Sequence, residues 1–493
     1  MKVEFLNLSK GISSIKSEIK EKIDNVIDNT SFILGKEVEV FEKNFAEYSG
    51  FSHFIGCANG TDALEIAVQS LELSEGDEII VQGNTYIATC LSVVNNKLNL
   101  VLCDIDKDTN MISIDDIENK ITNKTKAVIV VHLYGLVPDM DKIESICEKN
   151  KLTLIEDCAQ AHGAKWKGKP VGSFGKLACF SFYPGKNLGA FGDAGGIGTN
   201  DDFLKDKIQK IKNLGCKIKY HHEVIGRNSR MDTIQAVVLD TKLRFLESNN
   251  AKRRQNAQIY MDNLQDIDNI CLPYVHSESL PVFHLFVIMT DYRDELQKYL
   301  GENGITTLIH YPISISETDA FKPSNFTNVD NCITNSGRIL SLPMYPELEE
   351  SEILYVCKHI NNFFLKKNLL KIKNIQTQQK SGVLHCVNNV QFDVKRFFYI
   401  DSFEDSDNKR GLHANTNCDE VLIIIDGSMR MKLTTKDGNT TEQVFERNQL
   451  CYVGRNVWLE FEPIDASTII MVMANETLEK TISEYDFNKF LEE

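Results

Sequence analysis

The chain has 493 residues, with 54 lysines and arginines against 70 aspartates and glutamates for a formal charge of −16, and an apolar share of 42%. Those proportions are those of a folded chain, and the length exceeds what one hydrophobic core usually organises, so two or more domains are expected. The acidic balance argues against broad nucleic-acid binding; the lack of a long apolar stretch, and of an apolar core behind Met1-Lys2-Val3-Glu4-Phe5, argues against a membrane span or signal peptide and predicts a cytoplasmic protein.

From about residue 50 to 200, short apolar strands alternate with amphipathic helices, the pattern of a doubly wound α/β domain. Asn59-Gly60-Thr61-Asp62-Ala63-Leu64 places a glycine turn at a helix start, where the first amides and the Thr61 hydroxyl suit an anion. An ordinary capped helix is the plain alternative. Tyr86 follows the strand Glu78-Ile79-Ile80-Val81 and offers an aromatic face for stacking. A strand at Ala127-Val128-Ile129-Val130-Val131 and a helix from Met140 to Lys149 come next. The run Leu152-Thr153-Leu154-Ile155 reads as a buried parallel strand that delivers Asp157 at its C-terminal end, where α/β proteins keep ligands.

Ser181-Phe182-Tyr183-Pro184-Gly185-Lys186 ends in a lysine whose separation from Asp157 suits the two ends of one pyridoxal phosphate ring. The Lys186 amine condenses with the cofactor aldehyde. The Asp157 carboxylate keeps the pyridine nitrogen protonated, so the ring takes up electrons when a carbon next to nitrogen loses its proton. Gln160 lies close enough in sequence to reach the ring hydroxyl, and Ser181 adds a hydroxyl to the phosphate site at Gly60 and Thr61. Taken singly, Lys186 is one of many solvated lysines and Asp157 a helix cap. A strand near Phe283-His284-Leu285-Phe286-Val287-Ile288 predicts a smaller α/β subdomain. A nucleotide diphosphate needs a local basic pocket in so acidic a chain, and Arg227 and Arg230 are its candidates. Thirteen cysteines without a CxxC pair read as reduced, mostly buried thiols, with no disulfide and no metal site expected.

Five segments in this order resemble the DegT/DnrJ/EryC1/StrS sugar aminotransferases: Phe32 to Val38, Asn59 to Leu64, Glu156-Asp157-Cys158-Ala159-Gln160-Ala161-His162-Gly163, Ser181 to Leu188, and Gly226-Arg227-Asn228-Ser229-Arg230-Met231-Asp232. The resemblance implies a fold-type I enzyme that aminates nucleotide-linked keto sugars with nitrogen from glutamate. It makes Lys186 the cofactor lysine, Asp157 the pyridinium partner, Gln160 the contact to the ring oxygen, and Thr61 and Ser181 phosphate ligands. Asn228 then reaches a phosphate in a neighbouring subunit, which implies a homodimer with shared active sites. His310-Tyr311-Pro312 resembles the family's turn near the sugar pocket. A related branch removes a sugar hydroxyl and carries histidine where this chain has Lys186, so transamination is favoured over dehydration. A binding or regulatory protein would need no reactive lysine.

The reading divides the chain into an aminotransferase over 1–368, a linker over 369–380 and a barrel over 381–493. The last part is rich in short β runs, including Arg396 to Ile400, Val421 to Ile425, Met429 to Leu433 and Ile469 to Met473. Asp426-Gly427-Ser428 and Lys436-Asp437-Gly438-Asn439 read as hairpin turns, giving a small antiparallel barrel. Arg410-Gly411-Leu412-His413-Ala414-Asn415 and Tyr452 to Trp458 resemble the WxcM-like cupin dTDP-sugar 3,4-ketoisomerases, whose fusion to an aminotransferase implies amination at C3. The family's second histidine falls at Asn415, and an amide has no proton affinity near neutral pH. Tyr399, Arg410 and His413 remain for sugar contact, while His413 and Glu420 are too few ligands for a cupin metal. Weak or absent isomerisation is therefore expected of the barrel. Two active domains, amination at C4, and a dehydratase are the alternatives.

Overall fold

Apolar strands of about five residues set the architecture of the first of two units, Met1–Cys357 and Lys358–Glu493. The structure, a computed structural model, describes residues 1–267, 269–324, 326–367, 373–374, 376–380, 382–386, 394–401, 410–436, 438–465 and 467–492.

In the first unit a seven-stranded sheet places side by side the strands that begin at His53, Gly195, Leu177, Thr153, Thr125, Glu78 and Asn99. Gly195–Thr199 runs antiparallel to its neighbours and the others are mutually parallel. Strand side chains alternate between faces, and both faces here are covered. Ile80, Val128, Val130 and Leu154 enter one apolar core, whereas Ile79, Val81, Ala127, Ile129 and Ile155 enter the other. That double burial is why these strands read as unbroken apolar runs. Helix Lys36–Ser49 lays Phe41 and Phe45 into the first core. Helix Gly60–Ser70 supplies Leu64 and Ala67 to the second.

Tilted and edge-on phenylalanines pack against Phe182, at the base of the lysine loop. Phe45 lies 4.6 Å from Phe54 and 5.3 Å from Phe182, ring centre to ring centre. The Phe182 amide donates to the Ala194 carbonyl and its carbonyl accepts from Ala190, both at 2.8 Å, so the loop carrying Lys186 is pinned at both ends. Gly196 has to lack a side chain, because a Cβ there would meet the Phe54 ring at 2.2 Å.

The expected subdomain strand forms as Phe286–Met289, antiparallel to Ile339–Leu342. Twelve cysteines of the described residues are free thiols, all buried except Cys271. Among the described residues, no helix is long and apolar enough to cross a membrane.

The second unit is all antiparallel, with two five-stranded sheets. One contains Arg396–Ile400, Glu420–Asp426, Gln449–Val453 and Ile469–Ala474; the other contains Arg410–Asn415, Ser428–Thr435, Thr440–Glu446 and Val457–Pro463. Leu422, Ile424, Met429, Met431, Leu459 and Phe461 share its interior. Asp426-Gly427-Ser428 bends the chain, with Gly427 at φ 72°, a conformation that suits glycine, but it is not the expected hairpin turn: Glu420–Asp426 and Ser428–Thr435 belong to different sheets, so the bend carries the chain from one sheet to the other. Asp437 of the second expected turn lies outside the described residues, as do 369–372, 375, 381 and 387–393. Part of the expected linker is strand instead. Lys373–Asn374 pairs with Gln449 and Leu450, and Gln376–Lys380 pairs with Gly382–Cys386. A polar run without an apolar face gave no sign of this, because edge strands are held by backbone bonds that any sequence can make. The division between units falls inside helix Glu350–Lys367, ahead of the expected 368.

Candidate active site

Asp157 ends the strand Thr153–Asp157 and is buried. Its Oδ2 accepts the Thr89 hydroxyl at 2.9 Å and its Oδ1 accepts the Ala159 amide at 3.1 Å. Burial raises the carboxyl pKa, while these two bonds and the Lys186 charge pull it back. Lys186 closes a turn by donating its amide to the Tyr183 carbonyl at 2.8 Å. Loss of solvent around its amine lowers the pKa to about 8, with Asp157 opposing the shift. The carboxylate and the amine thus feel each other's charge, as two ends of one ligand site require.

Gln160 is held in one orientation. Its Oε1 accepts the Tyr134 amide at 2.6 Å and its Nε2 donates to the Tyr311 hydroxyl at 3.1 Å. The second Nε2 proton remains for a ligand oxygen, which suits the predicted contact to the ring hydroxyl. Tyr86 lies 5.5 Å from Tyr311, ring centre to ring centre, and is half exposed at 54%. A stacking face is therefore open.

The anion cradle forms where the helix Gly60–Ser70 meets Ser181. A Cβ on Gly60 would lie 2.5 Å from the Ser181 Cβ, so glycine is what lets the two approach. Asn59 caps the helix by accepting the Asp62 amide at 2.8 Å, and the amides of the first turn have no partner within the helix. Thr61 stands in that turn. This donor set fits pyridoxal phosphate, because it pairs an amine of lowered pKa with an opposed carboxylate and adds an open ring face and a helix N-terminus for the phosphate.

His310 and Tyr311 reach the same place. The His310 Nδ1 lies 2.9 Å from the Ser341 hydroxyl, and its carbonyl accepts the Tyr134 hydroxyl at 2.5 Å. Burial, then the Lys186 charge, lowers its pKa to about 4, so its ring is neutral at physiological pH. Asn228 sits in a backbone bridge to Asn213. Arg230 donates Nη1 to the Asn213 side chain at 3.5 Å and keeps a buried Nε without a partner. Arg227 pairs with Glu65, with Asp62 3.8 Å away, so its charge is already matched by carboxylates. That pairing corrects the expectation of a free basic pocket at Arg227, and only the three-dimensional arrangement reveals it.

Several neighbours escaped the sequence reading. Asn187 is clamped by its Nδ2 to Asn250 at 2.9 Å and to the Val282 carbonyl at 3.1 Å, with His284 Nδ1 3.1 Å from its Oδ1. His162 packs against Phe180 and Phe182, and burial lowers its pKa to about 3. Thr89, on the helix Ile87–Val94, reaches the Asp157 carboxylate. His132, Glu156 and Cys158 also cluster. Glu156 there accepts the amides of Gly172, Phe174 and Gly175 at 2.6, 2.8 and 2.7 Å, and His132 Nε2 is 2.9 Å away. Those donors stabilise an anion and tie the turn at 172–175 to the strand bearing Asp157.

In the second unit His413 is in register with the interior residue Leu459. Glu420 and Arg396 flank Ala474 and form an ion pair at 3.0 Å. Asn415 accepts the Ser483 hydroxyl at 2.6 Å. Arg410 is exposed. Tyr399 departs from expectation, since it alternates with Ile400, which packs on the interior, and lies 67% exposed on the opposite face. The period of two along a strand puts neighbouring residues on opposite faces, and the sequence alone did not say which neighbour faced inward.

Residues 13–361 match the model of the DegT/DnrJ/EryC1/StrS aminotransferase family, and residues 366–493 match that of the FdtA family, described as WxcM-like, C-terminal. The dTDP-3-amino-3,6-dideoxy-alpha-D-galactopyranose transaminase of Aneurinibacillus thermoaerophilus is 41% identical over 361 residues, 73% of this chain and 99% of that protein. S. venezuelae DesV, solved in complex with a ketimine intermediate, is similar with a TM-score of 0.72 and 37% identity, over 73% of this chain and 98% of its own. The Bacillus subtilis NtdA structure with bound cofactor PMP is similar with a TM-score of 0.67 and 31% identity, over 72% of this chain and 85% of its own.

Proposed function

Because this chain belongs to the DegT/DnrJ/EryC1/StrS aminotransferase family, we propose that it moves nitrogen from glutamate to C3 of a dTDP-linked keto-6-deoxyhexose. It is a pyridoxal-phosphate-dependent aminotransferase of nucleotide-linked sugars. The observation that carries the reading is Lys186, an amine of lowered pKa opposed to the buried Asp157. The preference for C3 is supported by the 3-amino sugar named for the Aneurinibacillus relative and by the WxcM-like C-terminal part.

When bound, the cofactor supplies an electron sink for the carbon that loses its proton. The chain's own groups do the rest. Lys186 would hold the cofactor and then, as a free amine, move a proton from the donor's Cα to the cofactor carbon that had been bonded to its own nitrogen; in the second half of the cycle it would move one from that carbon to the sugar carbon that gains nitrogen. Asp157 holds the proton on the ring nitrogen, Gln160 donates to the ring oxygen, and Tyr86 covers a face. Gly60, Thr61 and Ser181 hold the phosphate, with Asn228 contributed by a second copy in a homodimer with shared sites. Tyr311, His310 and Arg230 border the sugar.

The barrel serves sugar-nucleotide binding, assembly or stability and isomerises weakly or not at all, because Asn415 offers no base. Full-length Lys186→Ala, which cannot transaminate, tests this. Conversion of a 4-keto to a 3-keto dTDP-6-deoxyhexose by that variant at an enzymatic rate would overturn it. The amination itself is tested with ¹⁵N-glutamate and both keto isomers, with NMR locating the new C–N bond. Nitrogen at C3 is expected. Nitrogen at C4, or loss of a hydroxyl without nitrogen, contradicts the proposal.

A further inference from the structure

Thr89 is fully buried in the helix Ile87–Val94 that follows the stacking tyrosine. Its Oγ1 lies 2.9 Å from Asp157 Oδ2, 3.1 Å from the Tyr86 carbonyl and 3.0 Å from the Thr85 hydroxyl, itself buried. A hydroxyl has one proton and two acceptor sites. Here two acceptors, the Tyr86 carbonyl and the Asp157 carboxylate, compete for that proton, and the charge-assisted bond is the stronger. The proton therefore goes to Asp157 whenever that group is ionised, and the Thr85 hydroxyl donates into the acceptor side of Thr89. The two hydroxyls line up toward the carboxylate. Because the Ala159 amide holds Oδ1, both oxygens are fixed in place and each keeps a lone-pair direction for the ligand.

We propose that Thr89 is a positioning residue that holds the Asp157 carboxylate as an anion and so keeps the shared proton on the cofactor's ring nitrogen. This rests on the reading of Asp157 as the ring-nitrogen partner. The physical reason is a competition of basicities. Burial makes the Asp157 carboxylate more basic, and the Thr89 bond opposes that. Without the hydroxyl proton the carboxylate draws the shared proton toward itself, and the ring nitrogen loses part of its positive charge.

The test uses full-length holoenzyme loaded with cofactor labelled with ¹⁵N in the ring. Wild type, Thr89→Val, Thr89→Ser and Asp157→Asn are compared by ¹⁵N shift, by cofactor dissociation constant, and by denaturant midpoint without cofactor. Thr89→Val is expected to move the ¹⁵N signal toward the unprotonated ring and to weaken cofactor binding by roughly tenfold, the scale of one hydrogen bond to a charged group. Thr89→Ser restores both, and Thr89→Ala repeats the shift should valine not pack. A loss of midpoint in the valine and alanine variants with an unchanged ¹⁵N signal overturns the proposal by assigning Thr89 a purely structural role. If Asp157→Asn moves the signal and Thr89→Val does not, Thr89 fails alone. If neither moves it, the reading of Asp157 fails as well.

Discussion

At the scale of single residues, cofactor capture turns on an amine made less basic than a free lysine. Its pKa near 8 means that the neutral, condensing form dominates above that pH. Capture of pyridoxal phosphate by the cofactor-free protein should accelerate as pH rises to about 8 and then level off. An unperturbed lysine would keep accelerating toward about pH 10.4. Stopped-flow absorbance across this range distinguishes the two. Asp157→Asn should retain the lysine-bound chromophore yet lower kcat by at least about tenfold, because a neutral amide cannot hold the ring nitrogen's proton. Wild-type turnover in that variant would show that the ring needs no such partner. Asp157 could be singled out in the sequence because it ends a recognisable apolar strand, and Lys186 because its separation from Asp157 and its residue type suit one cofactor ring. Thr89 could not. A threonine on a helix reads as an ordinary packed residue until the fold brings it to the carboxylate.

At the scale of elements, close approach between segments is built from missing side chains. Gly196 lies against the Phe54 ring and Gly60 against Ser181. Gly196→Ala should destabilise the protein by about 1–3 kcal/mol through overpacking, read as a lower denaturant midpoint with an unchanged slope. Gly60→Ala should instead act mainly on the cofactor, weakening its binding by pushing Ser181 off the helix start. Equal cofactor affinity in that variant would contradict the phosphate cradle. The sheet strands were legible because burial on both faces writes continuous apolar runs. Tyr399 and the strands Lys373–Asn374 and Gln376–Lys380 were not, since facing depends on register and edge pairing uses the backbone alone.

At the scale of the whole molecule, two units of different architecture share one chain, and residues 13–361 and 366–493 match separate families. The change from alternating helix and strand to short β runs made this division visible in sequence. The ion pair between Arg396 and Glu420 was hidden, because its members are distant in sequence and meet only across the strand Ile469–Ala474. Removing one partner leaves a buried charge, so Glu420→Gln in the full chain should destabilise the second unit by roughly 1–3 kcal/mol while transamination persists. Calorimetry and an amination assay on the same sample read both. The central claim is tested most directly by reducing the holoenzyme with borohydride and mapping its peptides by mass spectrometry. The cofactor's mass should be found on the peptide bearing Lys186 and vanish in Lys186→Ala. Its attachment to another lysine, or the absence of any attachment in active enzyme, would contradict the account.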